Sequence, residues 1–254
     1  MSGGCVAITG SASGLGAALR ARLEAAGTEV IGVDLHDQEI TADLSTADGR
    51  AAAVDAVREA SGGTLSGAVA CAGLGPQVNP AHLIAAVNYF GALAFLDGVG
   101  PMIQRGGAAV AVGSNSATMT PQDEEGLVDL LLGGNEEQAL QVADGLHGAI
   151  VYGMSKLALS RAVRIRVGEW GKRGVRLNAI APGPIDTPLL QGGLDDPELG
   201  PLIEALPVPL DRRASADEIA AVAEFLLSDD AAYVHGSIVF CDGGSDALVR
   251  PDGL

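Results

Sequence analysis

Six short runs along this chain are apolar without alternation, each bounded by glycine or a polar cluster: Cys5 to Thr9, Glu29 to Asp34, Gly67 to Cys71, Ala108 to Gly113, Val175 to Ile180 and Ser237 to Cys241. Continuous apolarity predicts strands covered on both faces. Between them the apolar positions follow helical spacing, at about Gly14 to Ala26, Thr46 to Ala60, Ala81 to Gln104, Tyr152 to Gly171 and Ala216 to Leu227. Strand and helix alternating this often predict an α/β fold, a doubly wound parallel sheet of Rossmann type with about seven strands, flanked by helices. One domain spanning residues 1–254 is expected. Right-handed crossovers bring the carboxyl ends of the strands to one edge, where a ligand binds.

Two segments break the alternation. Residues 115–151 separate a strand from the Tyr152 helix by far more than an ordinary connection. They read as a helical insertion: Gln122 to Leu132 is acidic and then leucine-rich, Gly133-Gly134 breaks it, and Asn135 with Gln138 caps a second helix to Asp144. Residues 186–213 carry many leucines among prolines and glycines. That composition suits a substrate flap over an apolar pocket, with a packed surface loop as the alternative.

At 254 residues and 48% hydrophobic, the chain can build a large core. Its formal charge of -17 opposes nucleic acid, anionic membranes and acidic carrier proteins as partners. The start lacks a basic segment followed by a long apolar run, and no later stretch is expected to span a membrane uninterrupted, so a soluble cytoplasmic protein is expected. Cys5, Cys71 and Cys241 are odd in number and far apart, which predicts reduced thiols inside strands. His36, His82, His147 and His235 show no paired spacing, and no metal is expected.

Candidate chemistry begins at Thr9 to Gly16, directly after the first strand. Gly10, Ser13, Gly14, Leu15 and Gly16 turn the chain into a helix whose N-terminal N–H groups can approach a pyrophosphate. A tight strand-to-helix turn is the plainer explanation of the glycines. Asp34 ends the second strand, where a carboxylate accepts both hydroxyls of an adenosine ribose; a strand-end carboxylate facing water is the other reading. A 2′-phosphate would instead meet Asp34 and Asp37, which favours NAD over NADP. Tyr152 and Lys156 share a helix face four residues apart, in a chain with three tyrosines and two lysines. Bringing a phenol from a pKa of about 10 to about 7 takes roughly 4 kcal/mol, which a nearby ammonium can supply.

Taken in order, these residues resemble the short-chain dehydrogenase/reductase family over essentially the whole chain. Thr9 to Gly16 is similar to its TGxxxGxG turn, Asp43-Leu44 to its adenine-contacting pair, and Cys71-Ala72-Gly73 to its NAG segment with Cys for Asn. Asn88, Ser114, Tyr152 and Lys156 match its catalytic tetrad, and Pro182, Gly183, Ile185 and Thr187 its nicotinamide-holding segment. Segments around Cys71 and Thr187 and the tail from Asp242 resemble the bacterial 3α-hydroxysteroid dehydrogenase/carbonyl reductases more closely still. The resemblance implies an NAD-dependent oxidoreductase moving a hydride between nicotinamide and a secondary alcohol or ketone. An apolar cyclic substrate such as a 3-hydroxysteroid is expected, with other alicyclic, terpenoid or xenobiotic carbonyls as alternatives.

In that scheme Tyr152 is the general acid or base, and Lys156 lowers its pKa and holds the nicotinamide ribose. Ser114 donates to the substrate oxygen, and Asn88 holds an ordered water. Gly113-Ser114-Asn115-Ser116 also permits a slip that makes Ser116 the donor, and Asn88 could instead bond a neighbouring backbone. Cys71 lacks the two-sided hydrogen bonding of Asn, which puts a structural bond in doubt. An acyl-carrier-protein ketoreductase is disfavoured by the charge, and a non-catalytic NAD-sensing regulator by the presence of both Tyr152 and Lys156. Relatives of this kind dimerise through the Tyr152 helix, a face the insertion could obstruct, so a homodimer through the last helix and strand is expected.

Overall fold

Each of the six apolar runs is a strand in the computed structural model, which describes residues 4–121 and 126–253. In chain order the first half comprises β1 (Cys5–Thr9), α1 (Gly14–Ala25), β2 (Glu29–Asp34), β3 (Ile40–Thr41), α2 (Ala47–Ala60) and β4 (Leu65–Ala70). A continuous helical segment follows as α3 (His82–Ala85), a π-helical turn (Ala86–Gly91) and α4 (Ala92–Val99). Next come β5 (Ile103–Val112), α5 (Ser116–Met119), α6 (Leu127–Leu132), α7 (Glu136–Asp144), α8 (Gly148–Arg173) and β6 (Arg176–Pro182). The chain continues through α9 (Pro188–Leu194), α10 (Leu199–Glu204), α11 (Ala216–Leu227), β7 (Ile238–Cys241) and α12 (Ser245–Val249).

All seven strands pair in parallel, in the order β3-β2-β1-β4-β5-β6-β7. The order reverses between β1 and β4, and that switch point opens the crevice in which ligands of such sheets bind. Alternate residues of β1 serve two cores of a single domain. Val6 and Ile8 face α1 and α11, whereas Ala7 faces the side covered by α2, α4, α8 and the insertion helices. Leu19 and Leu23 of α1 are fully buried on the first side; each such burial is worth about 1.5–3 kcal/mol.

Local chemistry sets the helix ends. Ser215 and Glu218 form a reciprocal capping box on α11. Gly174, at φ 73°, ends α8 in the left-handed conformation after Lys172 and Arg173 have complemented the helix dipole. In the insertion, Asn135 Oδ1 accepts the Gln138 N–H at 3.3 Å, so the expected cap holds. The Gln122 to Glu125 start of the first insertion helix lies outside the described residues. Arg50 of α2, nearly fully buried, donates to both oxygens of Glu136 at 2.7 and 2.8 Å and fastens α7 to the sheet side.

Several boundaries differ from the sequence expectation. The helix expected to run to Gln104 leaves α geometry at Val99, because Pro101 lacks the N–H an α-helix needs. β5 starts five residues before the apolar run, at Ile103, since Gln104, Arg105 and Gly106 are exposed and mask the pattern. β3 has only two residues and leaves no periodic signal. Cys71 lies one residue beyond β4, outside a strand. One helical stretch of 21 residues, His82–Met102, does reach membrane-spanning length and apolarity, with an 18-residue window of mean hydropathy 1.5. Of that window 67% is buried within the fold, where it is a core helix.

Candidate active site

The carboxyl ends of β1, β4, β5 and β6 converge on a cleft of about 590 Å³. Gly10 turns at φ 71°, and a β-carbon on it would come within 2.7 Å of Ala72; one on Gly16 would meet the Gly10 carbonyl at 2.0 Å. These two glycines let the turn lie against β4 and the helix against the turn. Ser13 gives α1 no side-chain cap, and Gly14, Leu15 and Gly16 of its first turn line the cleft. An uncapped helix start of this kind suits an anionic pyrophosphate.

Asp34 also lines the cleft. Its Oδ2 accepts the Ala12 N–H at 2.9 Å and its Oδ1 the Leu35 N–H at 2.7 Å, so it braces the glycine turn while each oxygen keeps a lone pair for a ribose hydroxyl. Arg20 of α1 is held by Glu39 at 2.5 and 2.9 Å and by Glu24 at 2.7 Å. That pairing holds the Glu39 carboxyl down at about 2. Asp43 and Leu44 form the far wall, and hydrogen bonding from Ser45 lowers the Asp43 pKa. Gly183, Ile185 and Thr187 line the opposite side, with Pro182.

The backbone at Cys71 is held from the neighbouring strand. Thr9 Oγ1 accepts the N–H of Cys71 at 3.1 Å and that of Ala72 at 3.0 Å, which fixes the Cys71-Ala72-Gly73 wall without an Asn. Burial pushes the Cys71 thiol up to about 12, so it stays neutral. Thr9 went unremarked in the sequence beyond its place in the turn.

Ser114, Tyr152 and Lys156 meet at the centre. Lys156, on the inner face of α8, donates to the Val112 carbonyl at 2.8 Å, and its Nζ lies 5.8 Å from the Tyr152 ring centre. Ser114, two residues past β5, lines the cleft together with Tyr152. Burial lowers Lys156 to about 8. Burial also raises the Tyr152 pKa, and hydrogen bonding to Ser114 opposes it. Protein groups alone therefore push the phenol upward, not downward as the Lys156 spacing suggested: desolvation of the phenolate outweighs its neighbours.

Asn88 sits in the π-helical turn, fully buried. Its Oδ1 accepts the Leu74 N–H at 2.7 Å and its Nδ2 donates to the Leu74 carbonyl at 3.0 Å. The side chain thus bonds a neighbouring backbone, one of the two readings open from the sequence, and Gly73 lies between it and Lys156.

Beyond the reacting groups the cleft is apolar, lined by Leu74, Met119, Ile150, Leu190, Leu199 and Ile203. Residues 186–213 supply the last three from α9 and α10. The insertion contributes Met119, Thr120 and Pro121 directly, while α6 and α7 stack on α8 and α3 behind the site. Thr120 presses on Gly153, where a β-carbon would fall 1.7 Å from Thr120 Oγ1.

Comparison with known proteins bears on this geometry. A family model described as enoyl-(acyl carrier protein) reductase matches residues 138–246. A 3-alpha-hydroxysteroid dehydrogenase/carbonyl reductase from Comamonas testosteroni is 44% identical over 97% of this chain and 98% of its own length. A coniferyl-alcohol dehydrogenase from a Pseudomonas species is 32% identical over 94% of this chain and 95% of its own. The crystal structure of a 3-alpha-hydroxysteroid dehydrogenase from a Pseudomonas species, complexed with NADH, is 43% identical and superposes with a TM-score of 0.93, covering 98% of this chain and all of that one.

Proposed function

Because this chain belongs to the short-chain dehydrogenase/reductase family and is an oxidoreductase of alcohols and ketones, we propose that it uses NAD in preference to NADP on an apolar cyclic secondary alcohol or ketone, a 3-hydroxysteroid or 3-ketosteroid first among them. The observation that carries this reading is the cleft itself: Ser114, Tyr152 and Lys156 share it with a lining rich in Leu, Ile, Met and Pro. The C. testosteroni relative, named as a 3-alpha-hydroxysteroid dehydrogenase/carbonyl reductase, supports the substrate class. A nicotinamide dinucleotide, when bound, supplies the hydride acceptor for oxidation and the donor for reduction.

The chain's own residues do the rest. Gly14, Leu15 and Gly16 present N–H groups to the pyrophosphate, and Asp34 accepts from the adenosine ribose. Asp43 and Leu44 flank the adenine, and Ile185 and Thr187 hold the carboxamide. Tyr152 Oη takes the alcohol proton in oxidation and returns it in reduction. Ser114 donates to the substrate oxygen, and Lys156 directs its two remaining N–H groups to the nicotinamide ribose. Asn88 holds the wall beside Lys156 and retains one amide N–H for a water on the proton path. Residues 186–213 close over the substrate.

Cofactor choice follows from charge. A 2′-phosphate would sit against Asp34, and Arg20 is already enclosed by carboxylates. Like-charge apposition of this kind costs several kcal/mol, so kcat/KM with NAD should exceed that with NADP by about a hundredfold. Rates on a panel of steroid and alicyclic alcohols, with both cofactors in parallel, test substrate and cofactor together. Asp34→Ser should narrow the ratio; equal use of both cofactors by the wild type would sink the NAD assignment, and no NADH from any alcohol would sink the substrate reading.

We also propose a cytoplasmic homodimer. Helices α5 and α6 of the insertion pack on α8, the face the family resemblance implied for dimerisation, whereas Phe225, Phe240 and Leu248 leave exposed apolar surface around α11, β7 and α12. Phe240→Lys should convert the dimer to monomer in sedimentation. A tetramer, or a dimer indifferent to Phe240→Lys, contradicts this.

A further inference from the structure

Ser114 is a donor in the mechanism above, yet a serine hydroxyl accepts as readily as it donates. It has two acceptor positions and one proton. Both acceptor positions are filled from one residue: the Ser116 N–H donates to Ser114 Oγ at 3.2 Å, and the Ser116 hydroxyl donates to it at 2.9 Å. Ser114 is left with only its own proton to offer, in the cleft it shares with Tyr152, whose pKa hydrogen bonding to Ser114 lowers.

We propose that Ser116 is a positioning residue for the reaction: by saturating Ser114 as an acceptor, it fixes the Ser114 hydroxyl as a donor toward the Tyr152 and substrate oxygens. The proposal rests on the reading of Ser114 and Tyr152 given above. Without the Ser116 hydroxyl, Ser114 can turn and accept from the phenol. That orientation favours neutral tyrosine and withdraws the donor from the substrate oxygen.

The turn bearing Ser116 does not depend on its hydroxyl. The Ser116 carbonyl accepts the Thr120 N–H at 3.0 Å and the Thr120 hydroxyl at 2.7 Å. Asn115 N–H donates to the Pro182 carbonyl at 2.9 Å, and Thr118 Oγ1 donates to Asp246 Oδ1 at 2.5 Å. Thr120 is wedged against Gly153, next to Tyr152. With anchors on β6, α8 and α12, the turn keeps its place when the hydroxyl is removed.

Ultraviolet difference titration of tyrosinate in the wild type, Ser116→Ala and Ser116→Thr tests the idea without a substrate, with Tyr152→Phe identifying the Tyr152 step. In Ser116→Ala the Tyr152 midpoint should rise by about half a unit to one unit, and kcat for alcohol oxidation at neutral pH should fall about three- to tenfold with KM and NAD affinity held. Ser116→Thr should restore both. Ser114→Ala/Ser116→Ala should be no slower than Ser114→Ala alone, because Ser116 acts through Ser114. An unchanged midpoint in Ser116→Ala, or losses that multiply in the double variant, overturns the proposal. Retained turnover in Tyr152→Phe would instead strike the functional reading beneath it.

Discussion

Tyr152→Phe should lower kcat by about 10²- to 10⁴-fold, the range for loss of a general acid-base group, while NAD affinity stays within about twofold of wild type. Phe keeps the ring that packs on the main core and removes only Oη. No pyrophosphate-facing or ribose-facing residue changes. The pH dependence carries a sign. The phenol is a base only when ionised, and burial raises its pKa, so alcohol oxidation should climb with pH through the alkaline range while ketone reduction falls. Initial rates in both directions across pH, with cofactor binding measured by calorimetry, check this. Near-normal turnover in the variant would remove Tyr152 from the mechanism.

Lys156→Met should lose activity and gain stability. Burial holds the folded-state ammonium at about 8 against 10.5 for the free group. Below pH 8 both states carry the proton, and the native state bears the desolvation cost, about 3 kcal/mol for a shift of this size. Between pH 8 and 10.5 the unfolded chain keeps a proton the native protein has released, so stability rises with pH through this group and the cost vanishes by the upper limit. Met carries no charge but forfeits the bond to the Val112 carbonyl, worth about 1 kcal/mol. Net, the variant should be about 2 kcal/mol more stable at pH 7, with the gap closing as pH rises and reversing to about 1 kcal/mol in favour of the wild type by pH 10.5. Buried thiols such as Cys71 pull the other way in alkali, because the unfolded chain ionises them first, but they do so in both proteins and cancel from the comparison. Urea unfolding of the two proteins across this pH range measures the gap. A gap of zero at pH 7, or one that does not change with pH, would show that Lys156 is not strained by burial.

Much of the site was legible because its requirements restrict residue type. The glycine turn is visible in the sequence since a β-carbon at Gly10 or Gly16 collides with backbone. Tyr152 and Lys156 share a helix face whatever the packing. Gln122 to Glu125 aside, the insertion's hairpin was readable from Gly133-Gly134 and the Asn135 cap. What escaped was bonding to backbone. Nothing in the letters told whether Asn88 faces a water or Leu74, or that Thr9 holds the backbone of Cys71 and Ala72. Ser116 was visible only as a rival to Ser114; that the two hydroxyls bond each other was not.

By itself, then, the sequence determined the strand-helix alternation, the glycine turn and the candidates for the reacting groups, because two-sided burial, close backbone approach and helical spacing each leave a periodic or residue-specific mark. Tertiary structure alone decided the direction in which Tyr152 and Lys156 are shifted, the anchor of Lys156 on Val112 and the coupling of Ser116 to Ser114. Those depend on desolvation and on backbone carbonyl and amide groups, which nearly every residue carries alike and which only the folded chain brings into register.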